Sequence, residues 1–203
     1  MIDAFRTITT PASARIARKK SRFLGHAFPI GSEDELSHRL DEIRRRFHDA
    51  THHCYAYRLL KGLETVSHID DAGEPSGSAG LPILHVLEET ELLNVLLIVV
   101  RYFGGTKLGL GGLIRAYSDA AQATLAAAQF IVRRADVEVS IRFPPEVNSG
   151  VMGTIHRYGA EVREIEYGEN AHVLAAVRPS LVSALKSAIR EATGDRAVIE
   201  GRE

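Results

Sequence analysis

A chain of 203 residues with 45% hydrophobic and 25% charged side chains can bury one large core or two small ones, which excludes disorder as its main state. Lys and Arg (25) balance Asp and Glu (26) to a net charge of −1, so affinity through bulk positive charge is excluded and any polyanion site must be local. With one cysteine, no basic and apolar leader, and no apolar run near the roughly 18 to 20 residues that cross a bilayer, we expect a reducing, cytoplasmic setting and no membrane partner.

Apolar and polar positions alternate through Phe5, Ile8, Ile16, Phe23, Leu24 and Phe28, punctuated by Pro11, Gly25, Pro29 and Gly31, which predicts two or three strands. Ser32 followed by Glu35 reads as a capping box. Leu36, Leu40, Ile43 and Phe47 then recur at helical spacing, predicting an amphipathic helix from Ser32 to Phe47 with a basic end at Arg44 to Arg46. Thr51 to Leu60 predicts a strand, His68 to Ser78 a polar loop, Ala79 to Leu87 a helix, and Asn94 to Phe103 a central strand covered on both faces. A glycine-rich segment, Gly104 to Gly112, leads into an Ala-rich helix from Leu113 to about Gln129.

Arg133 to Ala135 is read as a join between two α+β domains, residues 1–133 and 136–203. Beyond it come a strand at Asp136 to Phe143, a helix at Pro144 to Tyr158 and a hairpin of Ala160 to Tyr167 with Ala171 to Arg178. A helix at Ser180 to Ala192 and a strand at Arg196 to Glu200 follow. This βαββαβ order predicts a ferredoxin-like sheet with both helices on one face. From Asp136 onward there are 8 basic and 11 acidic residues, so the second domain is the more acidic. Asn94 to Ser118 contains Arg101, Lys107 and Arg115 and no acid, and Ala14 to Arg22 contains Arg15, Arg18, Lys19, Lys20 and Arg22 and no acid. Both are candidate anion-facing surfaces.

The stretch VRYFGGTKLGLGGLIRAY, Val100 to Tyr117, leaves a buried strand, passes Gly104, Gly105, Gly109, Gly111 and Gly112, and enters a helix. Such a crossing suits phosphate, because backbone N–H groups approach closely at glycine and a helix start carries partial positive charge. It lacks the ending of a triphosphate-binding loop and the downstream acid of a dinucleotide fold, and a plain tight turn with solvated cations is the alternative. Tyr102, Phe103 and Tyr117 could stack on bases or lie in the core. In HIDDAGEPSGSAGLP, Asp70, Asp71 and Glu74 offer oxygen ligands for Mg²⁺ or Ca²⁺, or Ser76 or Ser78 caps the next helix. In THHCYAY, His52, His53 and Cys54 alternate faces if the segment is a strand, so they cannot all reach one ion. A Cys–His pair would need a distant third group, and a buried thiol with half-exposed histidines is the plainer reading.

Taken together, KKSRF, HHCYAY, GEPSGSAGLP and VRYFGGTKLGLGGLIRAY resemble the YigZ/IMPACT family over almost all of the first domain. The resemblance implies that this domain has the fold of elongation factor G domain IV, shared with a small-subunit ribosomal protein, and that the second is like that factor's fifth domain. It also implies RNA-binding neighbours and, from eukaryotic relatives, a link to translational control through a protein partner. Matching motif by motif, it points to Arg22, Arg101, Tyr102, Gly104, Gly105, Lys107, Gly109, Gly111, Gly112 and Arg115 as phosphate-facing positions, and to Lys20, Ser21, His53, Asp71, Glu74, Pro75 and Ser76 as further motif residues. The family's acidic loop usually reads Asp-Asp-Gly-Glu-Pro; here Ala72 stands where the second aspartate would be. We therefore expect a non-enzymatic RNA- or ribosome-binding protein that uses no cofactor or metal. The alternatives are an enzyme in which Glu74 or Asp71 recruits Mg²⁺ and His53 moves protons, and a module that binds a translation-associated protein.

Overall fold

The computed structural model describes residues 1–201, so the expected end of the second domain, Arg202 and Glu203, lies outside the described residues. The chain divides into two units, Phe5–Arg133 and a second comprising Met1–Ala4 with the chain from Arg134 onward.

The first unit is built around strand β6 (Val95–Tyr102), whose apolar run is buried as far as Arg101. A strand apolar at consecutive positions must be covered on both faces, and here it is. With β2 (Ala12–Arg18), β3 (Ser21–Pro29), β4 (His52–Lys61) and β5 (Glu64–Asp70) it forms an antiparallel sheet in the order β2-β3-β6-β4-β5. Helix α1 (Glu33–Arg46) covers one face, packing Leu36, Leu40 and Ile43 on Phe28, Ile98 and Val100. Helices α2 (Gly80–Glu89) and α3 (Leu110–Ala126) cover the other, over Phe23, Cys54, Leu97 and Val99. The expected N-cap of α1 is present, Glu35 N donating to Ser32 Oγ (3.2 Å), while the Glu35 side chain reaches one residue farther back than a capping box does and accepts from Gly31 N (2.7 Å).

Three readings are corrected. His68 to Asp70, expected to open the polar loop, instead close strand β5, an edge strand held by its pairing to β4; Glu64, Thr65, Ser67 and His68 leave it little apolar alternation. The Ala-rich helix ends at Ala126, and Phe130–Arg134 forms an unexpected strand β7, paired with β1 (Ala4–Ile8) in a separate two-stranded ribbon that runs up to the change of unit after Arg133. Neither serine caps α2; Asp71 does, as described below.

In the second unit, β8 (Val137–Phe143), β9 (Glu161–Glu166), β10 (Ala171–Val177) and β11 (Val198–Gly201) pair antiparallel in the order β11-β8-β10-β9. This is the expected ferredoxin-like sheet. Helices α4 (Asn148–Arg157) and α5 (Val182–Thr193) pack Val151, Ile155, Leu185 and Ile189 onto Val139, Ile141, Phe143 and Val173. Register places Glu138, Arg142, Glu164, Glu166 and Glu200 on the face away from these helices.

Candidate nucleic-acid interface

The glycine segment leaves β6 at Phe103 and turns into α3, and most of it lies at the surface. Gly104 packs against the β2–β3 hairpin tip so closely that a Cβ there would sit 2.1 Å from the Lys20 carbonyl carbon, a contact no side chain permits. Gly104 N also donates to Ser21 Oγ (3.1 Å), so the crossing is fastened to the strand that carries KKSRF. Gly105 and Gly109 hold φ of 83° and 74°, and Gly111 and Gly112 form the first turn of α3. Helix geometry leaves the N–H groups of Leu110, Gly111 and Gly112 outside the helix's own ladder. No side chain caps them and no acid lies in that turn, while Lys107 and Arg115 are exposed beside it. Lys19 and Lys20 form the exposed hairpin tip, both with positive φ.

The N-terminus of α2 is closed by contrast. Asp71 Oδ1 accepts from Ala79 N (2.9 Å) and Gly80 N (2.8 Å), and Oδ2 accepts from Gly77 N (2.7 Å). Both carboxylate oxygens thereby accept from the protein's own backbone, which makes Asp71 the cap of α2. Ser78 turns back to donate to Pro75 O (2.6 Å), and Pro75 and Ser76 are exposed.

Beneath the crossing the motifs meet in a buried polar network. Arg101 is 5% exposed and donates to Glu74 Oε1 at 2.5 Å, with Ser21 Oγ at 3.4 Å. Tyr117, fully buried, donates to the same Glu74 oxygen at 2.8 Å, and the Cys54 thiol lies 3.2 Å from the Tyr117 hydroxyl and 3.0 Å from Asp71 O. His52 Nε2 is 3.8 Å from Glu74, its Nδ1 2.9 Å from Ala72 O. Arg101 and Glu74 therefore neutralise each other inside the protein. Arg101, expected among the phosphate-facing cations, is a positioning residue that holds the base of the crossing. Burial pushes the Cys54 thiol up to about 12, with the nearby carboxylates adding to the effect, so it is no nucleophile at neutral pH. Tyr117, unused by either base stacking or solvent, is raised for the same reason, chiefly burial.

Arg22, Tyr102 and His53 lie on the opposite, α1 face of the sheet. Arg22 stacks on the Tyr102 ring (4.5 Å to its centroid), and Tyr102 donates to Asp49 Oδ1 (2.7 Å). His53 Nε2 lies 3.1 Å from Phe47 O, and burial lowers its pKa. The residues named for the enzymatic alternative thus do not converge: Glu74 and His53 are on different faces and Asp71 is consumed as a cap. Among the described residues no three His, Cys, Asp or Glu side chains are grouped to hold a metal, and no helix is long and apolar enough to cross a membrane. A cleft of about 620 Å³ between the start of α1 and β1, lined by Phe5, Ile30, Asp34, His38 and Arg133, holds none of the candidate residues.

Sequence reasoning missed the roles of Tyr117 and Cys54 in this network. Their motif membership was visible, but the convergence depends on which strands are neighbours. The profile of the Impact N-terminal domain matches residues 19–125, and that of a domain of unknown function (DUF1949) matches residues 154–196. An IMPACT family member of Thermus thermophilus is 40% identical over 164 residues, 80% of this chain and 84% of that protein. The IMPACT family member YvyE of Bacillus subtilis is 39% identical over 117 residues, 58% of this chain and 54% of its own length. A solved structure described as the crystal structure of an hypothetical protein superposes with a TM-score of 0.73 at 21% identity, covering 100% of this chain and 99% of that one, a likeness of fold.

Proposed function

Because the chain belongs to the IMPACT family, we propose that it is a non-enzymatic RNA-binding protein linked to translation, acting on the ribosome or at a translation factor's site. Its first unit holds RNA phosphates at the start of α3. The observation that carries this reading is the contrast between two helix starts on one sheet face. The start of α2 is filled by Asp71, whereas that of α3 is uncapped, free of acid and flanked by Lys107 and Arg115. The neighbouring acids are already engaged: Glu74 by Arg101, and Asp119 by Arg18 at 2.8 Å. Lys19 and Lys20, tied to the crossing through Gly104, add positive charge at its edge.

RNA binding by the purified protein, measured over a salt series, tests this. Lys107→Ala with Arg115→Ala removes two phosphate contacts and should lower the slope of log affinity against log salt by about 1.4 for a single strand. Affinity and slope equal to the parent protein's would refute the assignment. Pull-down with and without nuclease separates it from a protein-docking module, which would keep its partner after the RNA is digested.

A further inference from the structure

A second group of cations, scattered over three elements in the sequence, gathers on the sheet face away from the glycine crossing. Register sets Arg15 of β2 opposite Leu24 and Ala17 opposite Arg22, and Leu24 packs in the α1-side core, so both arginines project on that side. Ser13, Arg15 and Ala17 are exposed there. Farther along β3, His26 pairs with Ser13 and stacks against Phe47 (centroids 5.2 Å apart), and the Arg46 guanidinium lies 5.3 Å over that ring. Arg22, Arg15 and Arg46 thus follow the β2–β3 edge at successive levels, Leu24 and His26 marking two-residue steps of roughly 7 Å along the strand.

None of these three arginines has a carboxylate within ion-pair distance among the described residues. Of the nearby acids, Glu42 is paired with Arg39 at 2.8 Å and Asp41 with Arg44 at 4.0 Å, while Asp49, which accepts from the Tyr102 hydroxyl, keeps its charge on the Arg22 side of the patch. Arg22 and Arg46 are each laid over an aromatic ring, on Tyr102 and Phe47. A guanidinium held in this way is pre-oriented: its fork can meet a phosphate while its outer face is free to stack on a base. An acidic peptide would use the fork alone, and a paired base presents no open face. The chemistry that uses both is an unpaired nucleotide strand.

We propose that this edge is a second RNA surface, on which Arg22, Arg15 and Arg46 bind successive phosphates of a single strand and the two ring-backed arginines stack its bases. The inference rests on the RNA reading above and adds both a location and a preference for unpaired RNA. The test uses the full chain with a uridine-rich oligonucleotide and a duplex of equal length, each titrated over a salt series. Arg15→Ala/Arg22→Ala/Arg46→Ala should lower the single-strand slope by about 2 and the affinity at least tenfold, since three contacts at about 0.7 each are lost. Arg22→Lys/Arg46→Lys keeps the charge and should keep the slope while erasing the preference for single strand over duplex. If the triple variant retains affinity and slope while Lys107→Ala/Arg115→Ala loses them, this surface is refuted and the first site stands. If the lysine variant keeps the preference, the stacking role is refuted. Failure of the parent protein to bind either RNA overturns both readings.

Discussion

Glu74 and Arg101 form a full ion pair, 4% and 6% exposed in their side chains, in the middle of a domain that has few other buried charges. Removing two charges from water costs several kcal/mol per ion; Tyr117, Ser21 and the mutual hydrogen bond of the pair replace most of that hydration, leaving the buried Arg101 Nε without a partner. Breaking one side leaves the other buried and unmatched. We expect Glu74→Leu and Arg101→Met each to cost about 3–5 kcal/mol in urea unfolding, and the double variant to cost clearly less than their sum. Additive losses, or single losses below about 1 kcal/mol, would show that the network is not what fastens the crossing. At this scale the sequence displayed the participants without their roles. Arg101 sits in a run without acids and reads as a surface cation, because its partner lies 27 positions earlier in a loop that reads as a metal site. Only the register of β4 and β6, which sets His52 beside Arg101, brings the two loops together.

Among the elements, those whose own residues specify them were legible. Helix α1 carries its serine cap and apolar stripe, and β6 its continuous apolar run. Strands β5 and β7 were not, because neither has a buried position and both take their structure from a partner strand. For β7 that partner, β1, lies at the other end of the unit's sequence, beyond any local window. The start of α2 carries a similar lesson. Two serines stood where a cap is expected, yet the aspartate several residues earlier does the capping, because the chain folds back over Glu74 before the helix begins. Three charge-assisted hydrogen bonds to one carboxylate exceed an ordinary cap, so Asp71→Ala should cost about 2 kcal/mol or more. Ser76→Ala should cost less than about 0.5 kcal/mol, as expected at an exposed position without such a role. Equal losses for the two variants, compared by denaturant midpoint, would contradict this assignment.

Over the whole molecule, the excess of positive charge at the proposed RNA surfaces belongs to the first unit. On the sheet face away from its helices the second unit sets Glu138, Glu161, Glu164, Glu166 and Glu200 against Arg142, with Arg163 paired to Glu161 at 2.8 Å. The order βαββαβ was readable from alternating periodicities, but which strand positions face outward was not, because that requires the register of β9 with its shift between Leu174 and Ala175. Carboxylates on an exposed face repel phosphate within a Debye length of about 8 Å at physiological ionic strength and have little effect beyond it. If RNA is held by the first unit's cations, neutralising this face by Glu164→Gln, Glu166→Gln and Glu200→Gln should leave the salt slope of RNA binding unaltered, because that slope counts only the cations that meet phosphate. A tenfold gain would mean that RNA passes within reach of these carboxylates and that the second unit borders the interface. A tenfold loss would mean that it contributes contacts of its own, and either result would shift the binding surface away from the β2–β3 edge and the start of α3.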